Sequence, residues 1–265
     1  MSGLGFARRS GRESPTRRID RSRARLSPWR GDPEVAQLVI APDASLGAAE
    51  IRAWIDQARS EGYRGIVTAA LNDGETAPFL ACDFTTHERL HLLAVDLLGD
   101  PAAGVNGEPA PCPNGEQAPC PNGIDVSISR VRRREHDAVL ALDAAAFSGS
   151  WRLGPIGLRD ALEATPARQF RAARDAHDRH HITGYAITGV AAPNGYLQRI
   201  ATDPALVRHG IGRALVLDAF RYLWRNGATR AYVNTQLDNT PALALYHSCG
   251  FELLPHGLSV LERAL

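Results

Sequence analysis

Residues 108–123 read one octapeptide twice, E-P-A-P-C-P-N-G and then E-Q-A-P-C-P-N-G. Proline removes backbone donors and Asn-Gly favours turns, so at this density neither helix nor sheet forms. The stretch 101–123 is therefore a linker. Two folded blocks remain, about 31–100 and 124–265. Cys112 and Cys120 recur only because the unit recurs, and a metal site there would need two further ligands that the segment lacks.

Charge is distributed as unevenly as structure. Residues 1–30 hold nine Arg against Glu13 and Asp20, a net +7, so with the whole chain at +1 the remainder carries −6. Their Arg/Ser/Gly-rich composition predicts a disordered basic tail. A basic run without a fold is a poor signature of nucleic-acid binding, so a solvated extension is expected. All 30 basic residues are Arg. The absence of lysine excludes P-loop NTPases, Schiff-base enzymes and S-x-x-K hydrolases. Arg- and Ala-rich usage points to a GC-rich bacterial genome. Four cysteines without a C-x-x-C pair predict a reduced, cytoplasmic protein. No apolar run is long enough to span a bilayer, and no secretory h-region is present at the start.

The second block reads as strands mixed with helices. Strands are expected at Ile124–Val131, at Ile182–Val190 and at Tyr196–Thr202, the last two separated by a Pro193-Asn194-Gly195 turn. Helix is expected at Glu135–Phe147 and over residues 156–175. A long helix runs from about Gly210 to Asn226, with Ile211, Leu215, Ala219, Phe220 and Leu223 on its apolar face. Arg230–Thr235 reads as a buried strand. Thr240-Pro241 reads as an N-cap and first-turn proline. Gly250 closes that helix, and Phe251–Leu254 and Leu258–Arg263 close the sheet. The order indicates an α/β or α+β sheet domain.

Chemistry concentrates in Tyr196–Gly212, Y-L-Q-R-I-A-T-D-P-A-L-V-R-H-G-I-G. A strand leads through a glycine-bearing turn into the long helix. The first turn of a helix exposes unpaired N–H groups and the positive end of the dipole, which suits a diphosphate. Gly210 and Gly212 remove Cβ atoms that would hinder close approach, and Arg208 and Arg213 add charge. A dinucleotide fold also starts this way, but its third glycine would fall at Leu215, and no acidic residue ends a second strand about 20 positions on.

The segment V-R-H-G-I-G resembles the [QR]-x-x-G-x-[GA] motif of the GNAT acetyltransferases, with Val207 in place of the usual Gln or Arg. A second family element, N-x-x-A-x-x-x-Y-x-x-x-G-F, is met by Asn239, Ala242, Tyr246, Gly250 and Phe251. The resemblance covers about 124–265. Ala146-Phe147 followed by Trp151 is similar to the RimI-type subgroup, which acetylates protein N-termini. The resemblance implies a mixed, mostly antiparallel, splayed sheet flanked by helices. It implies acetyl-CoA as acyl donor and a primary amine, on a peptide N-terminus or a small molecule, as acceptor. Backbone at Ile200, Ala201 and Thr202 would meet the pantetheine arm. Amides of Arg208, His209, Gly210, Ile211, Gly212 and Arg213 would hold the pyrophosphate. Asn239 would contact the cofactor, and Tyr246 would protonate the leaving thiolate. No metal is implied, and a homodimer is compatible with the family.

The general base stays open. RimI-type enzymes carry a Glu five residues before the Asn, where this chain has Asn234. A water chain ending at Asp203 or Asp238, or an acceptor amine of low pKa, are the alternatives. A CoA-binding module that has lost catalysis is the competing reading, motivated by Val207 and Asn234.

In the first block His87-Glu88-Arg89-Leu90-His91 spells H-E-x-x-H, a zinc-peptidase signature and the remotest functional alternative. Zinc needs the two imidazoles on a helix. Leu90 and Leu92 alternate with Arg89 and His91, which predicts a strand. Residues 61–84 parallel 226–251, with Gly62 matching Gly227, Phe79 standing where Tyr246 stands, and Phe84 matching Phe251. Residues 31–100 thus resemble a truncated GNAT half without the G-x-G turn, expected to act as a non-catalytic platform. The run Asp175–His181 reads as a polar turn.

Overall fold

The computed structural model describes residues 23–29, 32–41, 44–97, 126–175, 178 and 180–265. Most of the basic tail and the whole linker 101–123, with Cys112 and Cys120, lie outside these residues. The first half supplies β1 (Ala24–Trp29), β2 (Asp32–Ile40), α1 (Ala48–Ser60), β3 (Gly65–Thr68), α2 (Asp73–Leu80) and β4 (Thr85–Asp96). The second half supplies β5 (Val126–Arg130), α3 (His136–Ala146), α4 (Pro155–Glu163), β6 (Ala167–Asp175) and β7 (Ile182–Ala191). It continues with β8 (Asn194–Thr202), α5 (Ile211–Arg225), β9 (Arg230–Gln236), α6 (Thr240–Ser248), β10 (Glu252–Leu253) and β11 (Leu258–Ala264).

All strands among the described residues join one open mixed sheet in the order β1-β2-β3-β11-β4-β9-β8-β7-β6-β5, with β10 attached to β4. The halves interlock within it. β11 from the end of the chain lies between β3 and β4, and β4 from the first half lies between β11 and β9. Each half therefore completes the other's hydrogen-bond ladder. The edge of β9 is paired over seven residues, Leu90–Asp96 against Arg230–Gln236, instead of being left open to foreign strands.

Helices cover both faces. α5 lays Ile211, Leu215, Val216, Ala219, Phe220 and Leu223 on the sheet, joined by Tyr246 of α6 and by Cys249, its C-cap. Each large apolar side chain so buried stabilises the fold by about 1.5–3 kcal/mol. Close approach depends on Gly195, where an added Cβ would lie 2.7 Å from Leu223 Cδ2. α3 and α4 cover the opposite face through Val139, Leu142 and Leu158 against Ala172, Tyr185 and Ile187. A separate core under α1 and α2 contains Ile51, Trp54, Ile55, Phe79 and Leu261, the last supplied by the exchanged β11.

Four local expectations are corrected. Residues 167–175 form β6 rather than the end of a helix over 156–175. Their Ala, Arg and Gln residues favour helix intrinsically, but pairing on both sides with β5 and β7 outweighs propensity. β1 at Ala24–Trp29 occupies part of the 1–30 stretch expected to be disordered. Ala24 and Ser27 are nonetheless buried, and the strand pairs antiparallel with β2. The β7–β8 turn is Ala192-Pro193, and Asn194 and Gly195 already pair with β7. Finally, α6 is capped by Asn239 rather than Thr240, its Oδ1 accepting the Ala242 N–H at 3.3 Å.

Candidate active site

β8 and β9 run parallel and pair only at Asn194–Tyr196 with Arg230–Tyr232. Beyond the stacked rings of Tyr196 and Tyr232 (centroids 5.9 Å apart) they diverge into a wedge. A β-bulge at Gln198, where Ile187 pairs Arg199 but Thr188 pairs Leu197, bends β8 at the start of that divergence. The Asp203 N–H donates to the Thr183 carbonyl of β7 at 2.9 Å. Alternation along the ladder then turns the N–H and C=O of Thr202 and Ile200 away from β7, into the wedge, and those of Ala201 toward β7. Of the three strand positions expected to offer backbone bonds, two face the opening.

The wedge leads to the N-terminus of α5. Gly210, its N-cap, has φ 78°, a left-handed conformation that glycine adopts without cost. Arg208 also has a positive φ, 69°, a strained choice for a side-chain-bearing residue. No side chain caps the helix and its first turn has no acidic residue. The ladder begins with the Ala214 N–H on the Gly210 carbonyl at 2.9 Å. His209 Nδ1 lies 3.0 Å from the Val207 carbonyl, closing the loop locally. Gly212 has a packing reason for lacking a side chain: a Cβ there would meet Leu245 Cδ2 of α6 at 3.0 Å. The mouth of α1 in the first half carries the opposite charge. At α1 Glu50 accepts the Gly47 N–H at 3.0 Å and is paired with Arg23, so a carboxylate already occupies the positive helix end.

Tyr246 is 4% exposed and shares a packed cluster with Ile200, Leu206, Ile211 and Val233, its ring against Phe251 at 5.7 Å. Burial pushes its phenol well above the ordinary range; the Arg199 charge pulls it partly back, and Cys249 adds a smaller upward push. The hydroxyl therefore stays protonated at neutral pH. Asn239 spends its Oδ1 on the α6 cap. Asp203 accepts the Ala205 N–H at 2.9 Å and lies 3.9 Å from His181. Asp238 belongs to the exposed turn before α6, its carbonyl accepting the Thr240 N–H at 2.8 Å. Asn234 is exposed on β9.

A buried polar network behind β8 escaped the sequence reading. The fully buried Asp143 of α3 receives Arg199 Nη2 at 2.7 Å and Nε at 2.8 Å, the Tyr185 hydroxyl at 2.5 Å, and the Leu153 N–H at 2.7 Å. Arg199 also donates to the Trp151 carbonyl at 2.6 Å and lies 3.6 Å over the Phe147 ring. The α3–α4 loop, residues 147–154, is thus strapped to the strand that borders the wedge. One sequence signal was available: Asp143 stands four residues after Val139, a carboxylate on the apolar face of α3.

His87 and His91 lie on β4, where residues four apart are separated by about 13 Å and cannot share an ion. His87 Nδ1 instead meets Glu262 of β11 at 2.9 Å. In the run 175–181, Asp178 accepts the His180 N–H through Oδ1 and the His181 N–H through its carbonyl, a turn as expected, while 176, 177 and 179 lie outside the described residues. No helix among the described residues is long and apolar enough to cross a membrane.

Residues 137–251 match the model of the acetyltransferase (GNAT) family. The mycothiol acetyltransferase of Amycolatopsis mediterranei is 30% identical over 133 residues, covering 44% of this chain and 43% of that protein. The ribosomal protein bS18-alanine N-acetyltransferase of Escherichia coli K12 is 36% identical over 70 residues, 26% of this chain and 47% of that one. The chain thus spans less than half the length of these curated relatives. A solved tandem GNAT protein from the clavulanic acid biosynthesis pathway superposes with a TM-score of 0.59 at 14% identity, over 87% of this chain and 75% of its own. That likeness is one of fold, and its coverage takes in both halves.

Proposed function

From the premise that this chain carries a GNAT acetyltransferase domain, we propose that it moves an acetyl group from acetyl-CoA to a primary amine by direct attack with both substrates bound. The observation that carries this reading is the β8–β9 wedge opening onto an uncapped helix mouth at Gly210. The residues fit the donor. Free backbone groups at Ile200 and Thr202 suit an extended amide-bearing arm. The loop from Arg208 to Arg213, with two guanidinium groups and no carboxylate, suits a pyrophosphate. When bound, the donor supplies a thioester, whose carbonyl carbon is the electrophile. Tyr246, kept protonated by burial, can hand a proton to the departing sulfur.

Among the described residues, the first half offers no equivalent. Glu50 holds the α1 mouth and Phe79 stands at the tyrosine position, so the second half works as the single donor site. Relatives named for N-acetylation of a ribosomal-protein alanine and for mycothiol support a protein or a small molecule as the source of the acceptor amine. Isothermal calorimetry with acetyl-CoA, followed by thiol release over a panel of a peptide with free N-terminal alanine, glucosamine and spermidine, tests the proposal. Binding with release is expected. Binding without release from any amine favours instead a CoA-binding module that has lost catalysis, the reading that Asn234 motivates. Absence of binding overturns both.

A further inference from the structure

An amine at neutral pH arrives as R–NH3+ and has no lone pair until a proton leaves, so transfer needs a proton acceptor beside the acyl carbon. On β4 and β9 the even-numbered residues share the face opposite α5. Leu90 packs there with Trp151 of the α3–α4 loop, while Leu93, Val95 and Val233 lie under α5. Register sets Leu92 opposite Asn234 and Leu90 opposite Gln236, so both polar β9 side chains lie on the face that Arg199 and the strapped loop also border, at the open end of the wedge. Glu88 is the next residue of that face on β4, half-buried, and its Oε1 accepts Gln236 Nε2–H at 3.1 Å.

Two further carboxylates beside this face are committed. Asp96 sits at the closed end of the wedge, 3.5 Å from Arg230. Asp143 is fully buried and held by Arg199, Tyr185 and Leu153. Glu88 keeps Oε2 outside any hydrogen bond among the described residues, with Gln236 fixing the carboxylate through Oε1.

We propose that Glu88, lent by the first half through the exchanged strand, is the proton acceptor for the amine in the second half's site. The assignment rests on the transferase reading above. One ammonium proton passes to Glu88, directly or through one water. The nitrogen lone pair then forms the N–C bond as the C–S bond breaks, its electron pair going to sulfur. Sulfur gains the Tyr246 proton, the phenolate regains one from nitrogen, and Glu88 releases its own to water. An amide, a thiol and one proton result. The first half would then be a working part of the site, and a non-catalytic platform only in lacking a donor cradle.

The test compares wild type with Glu88→Gln and Glu88→Asp in the full chain. Glutamine keeps an acceptor for Gln236, so the fold and acetyl-CoA affinity should be retained. With the N-terminal alanine peptide, Glu88→Gln should lower kcat by about 100-fold or more, the usual scale of general-base catalysis, and Glu88→Asp should recover part of it. With 2,2,2-trifluoroethylamine, already neutral at pH 7, the loss should shrink sharply. In CoA-saturated protein, calorimetry should show the peptide binding less tightly to Glu88→Gln and trifluoroethylamine binding equally. Equal losses with both amines, or turnover equal to wild type, overturn Glu88 as proton acceptor while leaving the transferase reading intact. Wild type that releases no thiol with any amine overturns the transferase reading, and this assignment with it.

Discussion

Arg199 of β8 meets Asp143 of α3 at 2.7 Å with the carboxylate entirely buried, and between them they hold both ends of the loop 147–154. A buried ion pair is a weak net stabiliser, but removing one partner strands the other charge in a low-dielectric interior. Asp143→Leu or Arg199→Met should each cost about 3–5 kcal/mol in urea unfolding. The apolar double variant Asp143→Leu/Arg199→Met should recover a large part of that loss, as a double-mutant cycle would reveal.

Gly210 and Gly212 are small for different reasons, and substitution should separate them. Gly210→Ala forces a Cβ into the left-handed region, at roughly 1 kcal/mol of stability, and should weaken acetyl-CoA binding by calorimetry. Gly212→Ala pushes instead on Leu245. Its cost should appear mainly in the melting temperature and should be relieved by Leu245→Ala.

Tyr246→Phe should lower turnover by about 100-fold or more if the hydroxyl protonates the leaving sulfur, while acetyl-CoA affinity stays near wild type. Linkage gives a second check. The folded phenol titrates above the unfolded value of 10, so the native state holds a proton that the unfolded chain loses. Stability from Tyr246 is therefore fully present below pH 10 and is lost as pH rises beyond it. Phenylalanine should flatten that alkaline limb in part only, because Tyr185 is raised as well, chiefly by burial.

Interlocking of the halves predicts that neither is self-sufficient. A fragment spanning 124–265 lacks β4, leaves the β9 edge open, and has no partner for β11 on either side. It should aggregate when expressed alone. Co-expression with 23–97 should restore a soluble complex, read by size-exclusion chromatography.

Glu135 accepts the Arg132 N–H at 2.7 Å and pairs with Arg174 at 3.1 Å. The backbone bond first, and the guanidinium after it, hold the carboxyl below its usual 4.5. Its contribution is present above pH 4.5 and is lost as pH falls through the depressed folded value. Glu135→Gln should therefore unfold more easily near neutrality and converge with wild type in acid, as thermal melts across that window would show.

What the amino-acid order determined was local. Periodicity marked α5 and the strands β7, β8 and β9; Thr240-Pro241 marked the start of α6 to within one residue, the cap itself being Asn239; alternation around Leu90 and Leu92 placed His87 and His91 on a strand. These signals act within a few residues, so one chain segment suffices to express them. The exchange of β4 and β11, the Glu88–Gln236 bond and the Asp143–Arg199 strap all join residues 56 or more positions apart. β6 likewise became a strand only because two neighbours paired with it. Tertiary structure decided these because a free strand edge or a buried charge is satisfied by whatever partner folding brings to it, and sequence spacing carries no record of that partner.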